Sequence, residues 1–374
     1  MAPALEASFG NPSSSHSAGR AARALVDEAR DRVAEVLNCR PREIVFTGGG
    51  SEADNLALRG VMARGGAVGR HLIISAVEHE AVLETARDLS ARGFEVTILP
   101  VDSMGLVDPA DLARALRKET ALVSVMTANN EVGTVEPIAE LLEVTRAQSD
   151  ALFHTDATQA LGKLPLDMGK LGVDLLTISA HKIYGPKGVG ALFVRQGTRL
   201  DAQITGGGQE RTRRSGTENV PGIAGLGMAA LLAEGERDRE AARLGPLSKR
   251  LTEEILRAVP DAQPTGAPFP RRLPNFCTIS FPGVEGELLL LRLDRAGVCG
   301  SAGSACTSGS LAPSHVMLAM GLAPELAAAH LRLTLGRSTT EDEVVEVAAI
   351  VAREVSALRS GSEVPTVPAG SRSA

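Results

Sequence analysis

Polar residues of several chemical kinds stand where apolar runs of this chain break off. "FTGGGSEADN" (46–55) passes from such a run through three glycines to Ser51, at the head of a helical pattern. Glycine-freed backbone amides, a hydroxyl and a helix N-terminus can together cradle a phosphate. No GK[ST] follows and no GxGxxG is present, so Gly50 and Ser51 suit a plain strand-to-helix turn equally well. In "DLLTISAHKIYGPKGVGALFV" (174–194), Ser179, His181 and Lys182 follow another run, and Lys182 is one of only six lysines. "ALFHTDATQ" ends on Asp156 with Gln159 three residues on, and "VEHEAV" places His79 after a further run.

A lysine at a strand end near a phosphate cradle suits condensation with the aldehyde of pyridoxal phosphate. That cofactor needs a carboxylate at its ring nitrogen, a role open to Asp156. It also needs a flat ring over its face, open to His79, and Gln159 is within reach of its ring hydroxyl. Each residue has a plainer reading: Lys182 as a surface lysine, Asp156 as a helix cap, His79 as part of another cap. The plain readings are weakest taken together, because all three residues follow successive apolar runs.

The elements that must position these groups alternate. Apolar, non-alternating segments at 43–47, 71–76, 94–100, 121–128, 151–156, 174–179 and 189–195 read as strands. Helical patterns at 19–38, 51–65 (with Ser51 as N-cap), 81–92, 108–118 and 137–147 separate several of them. Strands buried on both sides and spaced by helices predict an α/β fold, a mainly parallel sheet with helices on both faces. In such sheets ligands bind beyond the carboxyl ends of the strands. That rule collects residues 47–52, His79, 129–131, 156–159 and 179–182 into one edge. After about residue 235 a charged helix, "NFCTISFP", helices at 286–296 and 341–358 and a Gly/Ser segment predict a smaller α+β domain. The expected division is 1–235, 236–358 and a disordered tail, 359–374.

Net charge is −6, from 39 basic and 45 acidic residues, with no basic cluster, which argues against direct nucleic-acid binding. No apolar run approaches the ~20 residues of a membrane-spanning helix. The start lacks a signal-peptide pattern. Four scattered cysteines make no disulfide framework, so a reduced, cytoplasmic setting is expected. Cys299 and Cys306 fit no common zinc spacing, and no metal is expected. Cys277 reads as a buried strand residue and Cys39 as a helix-end residue without chemistry.

"NPSSSH", "EADNLAL", "EHEAV", "NNEVGT", "DATQALGKLP", "SAHKIYGPKGVGAL", "RSGTENVPG", "GSACTSG" and "LRLTLGR" occur in order from about residue 9 to 350. Together they resemble the cysteine desulfurases, a branch of the class V aminotransferase superfamily. The resemblance implies the type I fold of pyridoxal-phosphate aminotransferases and conversion of L-cysteine to L-alanine. Lys182 would hold the cofactor and take the substrate Cα proton; Asp156 would pair with the ring nitrogen and Gln159 with the ring oxygen. His79 would stack on the ring. Gly50, Ser51, Ser179 and His181 would hold the phosphate, with Thr217 reaching in from the second subunit of a homodimer. Asn130 and Arg332 would grip the substrate carboxylate. Cys306, in a Gly/Ser-rich stretch that reads as a mobile loop, would attack the substrate sulfur and carry a persulfide. A long loop of this kind implies delivery to an acceptor protein, such as an iron–sulfur scaffold; a short-loop, selenocysteine-preferring relative is the alternative.

The sequence departs from that pattern twice. Gly50-Ser51 stands where an Ala-Thr or Gly-Thr pair is usual, which keeps the hydroxyl. Met1 falls where a family member is already within a helix, after a strand and an Ala-Thr-Thr segment that line the site. The resemblance therefore implies an absent upstream segment, with cofactor binding kept and activity lowered. Two rival functions remain: a class V transaminase, which would not need Cys306, and a non-catalytic sulfur carrier.

Overall fold

The computed structural model describes residues 1–7, 9–64, 69–303 and 313–361. Its first elements are α1 (Ala2–Ala7), α2 (Ser17–Val36), β1 (Ile44–Thr47), α3 (Gly50–Ala63), β2 (His71–Ser75), α4 (Glu80–Ala91) and β3 (Glu95–Leu99). There follow α5 (Pro109–Ala115), β4 (Thr120–Ser124), α6 (Ile138–Gln148), β5 (Leu152–Asp156), α7 (Met168–Leu171), β6 (Leu175–Ser179) and β7 (Gly190–Val194). Next are α8 (Val220–Ala258), β8 (Gln263–Pro264), β9 (Phe276–Ser280) and α9 (Gly286–Arg295). The last are α10 (His315–Ala319), α11 (Pro324–Ala328), β10 (His330–Thr334) and α12 (Glu341–Arg359).

The described residues pack as two units. The first comprises Met1–Arg243, Gly266–Pro274 and Ala319–Gly321; the second comprises Leu244–Thr265, Asn275–Leu318 and the chain from Leu322. The sequence-based boundary at residue 235 lies within α8. The Cys306 stretch and nearly all of the expected tail fall outside the described residues.

In the first unit seven strands form one sheet in the order β1-β7-β6-β5-β4-β2-β3. The β3, β2, β4, β5 and β6 pairings are parallel, whereas β7 runs antiparallel to both β6 and β1. Successive strand residues point to opposite faces, and here both faces are covered. Ile73, Val123, Phe153, Leu176 and Phe193 enter a core with α2, α6 and the start of α8. Leu72, Ile74, Leu122, Leu175 and Leu192 enter a second core under α3 and α4. Two buried faces explain strands whose apolar residues do not simply alternate with polar ones.

The second unit holds a three-stranded antiparallel sheet, β10-β9-β8, with Cys277, Ile279, Leu331 and Leu333 packed against α9 and α12. Cys277 is buried in β9, as its apolar setting predicts.

Two local expectations change. α3 starts at Gly50 with Gly49 as its N-cap, so Ser51 lies inside the first turn. Gly49 adopts φ +151°, a conformation that a serine cap would not take up readily. And α8 begins at Val220, well before the charged stretch that signalled it. Its early residues are glycine-rich because neighbours come close: a Cβ at Gly227 would meet the Ala29 backbone at 2.7 Å. Tight helix packing, rather than a turn, accounts for those glycines.

One buried ion pair anchors the loop that precedes α8. Arg30 donates to Glu210 through both terminal nitrogens (2.8 and 2.7 Å) and to the Ile44 carbonyl (2.7 Å), while the Phe46 amide donates to Glu210 (3.0 Å). Glu210, Arg211 and Thr212 all adopt left-handed φ, costly for residues with a Cβ. Arg30→Leu leaves Glu210 buried without its cation. The expected loss of stability is about 3–5 kcal/mol, read from urea unfolding of the purified chain; a loss under 1 kcal/mol would contradict this account.

Candidate active site

The carboxyl ends of β5 and β6 lie side by side, with Asp156 opposite Thr177 in parallel register. This pairing brings Asp156 alongside the strand whose end leads to Ser179 and Lys182. Asp156 is 6% exposed, and the Thr158 amide donates to its Oδ1 (2.8 Å), a local turn that orients the carboxylate. Gln159 follows, half-buried. After β6 the chain winds into a short 3-10 turn, Ala180–Ile183, that carries His181 and Lys182 to the surface.

The N-terminus of α3 adjoins the end of β6. A Cβ on Gly50 would lie 3.1 Å from Thr158 Oγ1 and 3.5 Å from Ser179 Cβ, so Gly50 lies close to both strand ends. The helix opens without a side-chain cap, and Ser51 is exposed. Ser179 Oγ and His181 Nδ1 are hydrogen-bonded (2.8 Å). Burial lowers the His181 pKa, and positive charge on Lys182, His79 and Lys187 acts in the same direction. Uncapped helix amides, a serine, an imidazole and nearby lysines are a donor set suited to a phosphate dianion. A carboxylate at the neighbouring strand end suits a protonated pyridine nitrogen. The residues present therefore fit pyridoxal phosphate.

His79 is the N-cap of α4, its Nδ1 accepting from the Ala81 amide (3.1 Å). The plain reading of this residue thus holds, and it does not compete with the functional one. With Nδ1 used as an acceptor, a neutral His79 carries its proton on Nε2. Asn129 is fully buried and structural: its Nδ2 donates to Val77 O (2.8 Å) and its Oδ1 accepts from the Glu131 and Val132 amides. That brace ties the β4 exit to the segment that presents His79. Asn130 beside it is half-buried.

Thr217 is exposed, in the loop before α8. Arg214, three residues earlier, donates to Glu52 (2.8 and 3.2 Å), which fastens this loop to the first turn of α3. Arg332 belongs to the second unit. Its backbone N–H donates to Ser301 O (2.7 Å) and its carbonyl accepts from the Ser301 amide (3.1 Å), at the lead-in to the Cys306 stretch. Cys306 itself lies outside the described residues. Among the described residues no cluster of three or more potential metal ligands occurs.

Sequence reasoning missed the polar layer inside the sheet. His154 is fully buried, with Nδ1 bonded to Ser124 Oγ (2.8 Å), Nε2 to Thr177 Oγ1 (3.0 Å) and Asp54 Oδ1 at 3.6 Å from Nε2. Burial pushes the imidazole down to about 3, so it is neutral. Asp54, 1% exposed on α3, is held well above the usual carboxylate range by burial and then by the charge of Asp156, against a lowering Thr177 hydrogen bond. Glu78 accepts from the Ser75 hydroxyl and the Met126 amide, and burial raises it to about 8, with Asp156 and Glu136 adding to the rise. A carboxylate on the apolar face of "EADNLAL", and a histidine inside an apolar strand, were the available signals.

A mostly parallel sheet with a lysine and a carboxylate at adjacent carboxyl ends, beside an open helix N-terminus, is the plan of a pyridoxal-phosphate enzyme of aminotransferase type. The model of the aminotransferase class-V family matches residues 1–347, and the chain belongs to that family. Its cofactor is pyridoxal 5′-phosphate. The cysteine desulfurase IscS of Dictyoglomus turgidum is 48% identical over 360 residues, 96% of this chain and 91% of that protein. The solved structure of a NifS-like protein matches with a TM-score of 0.89 at 36% identity, covering 95% of this chain and 94% of its own. That of SspA in complex with cysteine matches with a TM-score of 0.76 at 35% identity, covering 89% and 92%.

Glu78 supplies a test of the buried carboxyl layer. Its native titration near 8 lies above the ~4.3 of an unfolded glutamate, so the native state binds the extra proton between those values. The stability this contributes is complete below about pH 4 and is lost as pH rises through 8. Glu78→Gln keeps an acceptor oxygen and cannot ionise. The stability gap should therefore move in the variant's favour from pH 5 to 8, by at most ~1.4 kcal/mol per pH unit in urea titrations. A gap independent of pH would mean that Glu78 is ionised throughout.

Proposed function

We propose that the chain is a cysteine desulfurase: it converts L-cysteine to L-alanine and keeps the sulfur as a persulfide on Cys306. The observation that carries the reading is the near full-length likeness to a cysteine desulfurase, in a chain whose β5 ends on Asp156 beside the strand that leads to Lys182. One solved relative is in complex with cysteine, which fits the same substrate.

Pyridoxal phosphate supplies an electron sink that withdraws charge from the substrate Cα. Asp156 would keep the ring-nitrogen proton in place, Gln159 would bond the ring oxygen, and Gly50, Ser51, Ser179 and His181 would hold the phosphate. The Lys182 amine would take the Cα proton, and His79, with its proton on Nε2, would cover the ring face and pass protons. Asn130 and Arg332 hold the carboxylate, where a planar guanidinium suits two oxygens. The Cys306 thiolate forms the new S–S bond as the substrate C–S bond breaks. The freed electron pair would take a proton at Cβ, and Lys182 would return the proton to Cα, which gives alanine. Cysteine and one enzyme thiol become alanine and one enzyme persulfide, with no outside oxidant.

Turnover needs an acceptor for that sulfur. An iron–sulfur scaffold or a thio-cofactor carrier in the cytoplasm fits the role. The exposed Thr217, on a loop fastened to α3, suits a contact with the cofactor phosphate of a second subunit in a homodimer. No helix among the described residues is long and apolar enough to cross a membrane.

The test is incubation of the purified chain with L-cysteine and a reductant, with alanine quantified. Alanine beyond one equivalent per chain is expected. Cys306→Ser should lower the rate at least ~100-fold while the cofactor stays bound. Undiminished amino-group transfer to a keto acid by that variant, with no alanine from either protein, would make this a transaminase.

A further inference from the structure

The chemistry proposed above uses the strand ends and leaves unexplained the polar layer one step inside them. Ser124, His154 and Thr177 follow Leu122, Leu152 and Leu175 by two residues on β4, β5 and β6, so they share the face that those leucines pack into the core under α3 and α4. All three are fully buried. The His154 ring joins them: Nδ1 is bonded to Ser124 Oγ on β4 (2.8 Å) and Nε2 to Thr177 Oγ1 on β6 (3.0 Å). Two residues beyond His154 on the same face stands Asp156, and two beyond Thr177 stands Ser179. A Cβ on Gly50 would lie 3.8 Å from Thr177 Cγ2. Asp54, one turn further along α3, has its Oδ1 3.6 Å from His154 Nε2. The layer thus adjoins the root of each element that presents the donor set: β5, β6 and the start of α3.

We propose that the Ser124–His154–Thr177 network is a positioning device for the cofactor site: it fixes Asp156, Ser179 and the start of α3 relative to one another, at the spacing that pyridoxal phosphate requires. Apolar side chains at the three positions would simply extend the core and avoid the desolvation of polar groups. Ion pairing does not account for the layer, because His154 is neutral and Asp54 is pushed toward its neutral form. A buried network whose ring bonds on both sides supplies what apolar packing does not, a directional lock between neighbouring strands. His154 is the hub, since movement of either flanking strand strains one of its two bonds. Donors held in place before the cofactor arrives need less ordering when it binds. This inference rests on the reading of that sheet edge as the cofactor site.

The full chain, stripped of cofactor, would be titrated with pyridoxal phosphate and the dissociation constant read from absorbance, with urea unfolding of the same proteins alongside. The triple variant Ser124→Ala, His154→Leu, Thr177→Val replaces every partner by an apolar group. No hydroxyl or ring nitrogen of the network is then left unpaired, and stability should change little. The dissociation constant should nonetheless rise about tenfold. Thr177→Val alone should weaken binding, whereas Thr177→Ser, which keeps the hydroxyl, should bind like the wild type. Val351→Ala, in the core of the second unit, should lower stability and leave the constant unchanged. A triple variant that binds as tightly as the wild type overturns the inference. So does a Val351→Ala protein that binds as weakly as the triple variant, because affinity would then only follow stability. So does a Thr177→Ser protein that binds as weakly as Thr177→Val. If the triple variant is insoluble, the two Thr177 variants decide by the same criteria. Wild-type protein that binds no pyridoxal phosphate overturns the site reading, and this inference with it. Unchanged variants of a wild type that does bind overturn the inference alone.

Discussion

The parallel pairing of β5 with β6 is the interaction on which the site depends. Neighbouring strands lie about 4.8 Å apart, so their ends offer side chains from distant stretches of sequence within one molecular length. With Asp156 opposite Thr177, the β5 exit supplies a carboxylate and an amide side chain, and the β6 exit supplies a serine, an imidazole and a lysine. A one-residue slip would turn every side chain of a strand to the other face. Here such a slip would move Leu176 and Phe153 out of one core and Leu175 out of the other. Hydrophobic burial on both faces thus holds the register of these two strand ends.

The same burial creates an electrostatic constraint. Asp54, Glu78 and Asp156 stand in one poorly solvated sector, where several negative charges are costly. Asp54 and Glu78 are pushed toward their neutral forms, Asp54 partly by Asp156 itself. His154, neutral between Ser124 and Thr177, brings no compensating charge. On the proposed reading, Asp156 would then be the carboxylate of this layer left to pair with a protonated ring nitrogen. A second ionised carboxylate there would compete for that proton.

The strands were legible because a doubly covered sheet writes an apolar run at every strand, and each predicted strand is present with shorter bounds. The site edge was legible because polar residues after such runs have few structural reasons to be there. What escaped notice depended on tertiary packing. The early part of α8 has turn-like glycines whose purpose is contact with Ala29 of α2. Ser51 looked like a cap because the glycine conformation that displaces it by two residues leaves no mark in the sequence. Asp54 and His154 sit in helix and strand patterns as single polar residues, and only the packing of α3 on the sheet brings them within 3.6 Å of each other. Cys306 and Thr217 rest on the family resemblance, since no periodicity points to a loop residue.

Sulfur transfer adds a requirement that a rigid sheet edge cannot meet. On the proposed reading, a thiol must reach the substrate sulfur and then an acceptor outside, so its attachment must be fixed while its tip is not. The second unit supplies the fixed end. Ser301 and Arg332 exchange both backbone hydrogen bonds, and β10 is in turn locked to β9 from His330↔Ser280 to Thr334↔Phe276. Cys306 is five residues beyond Ser301, a span of at most ~18 Å of extended chain. Its reach is thus measured from the strand that carries the arginine proposed to hold the substrate carboxylate.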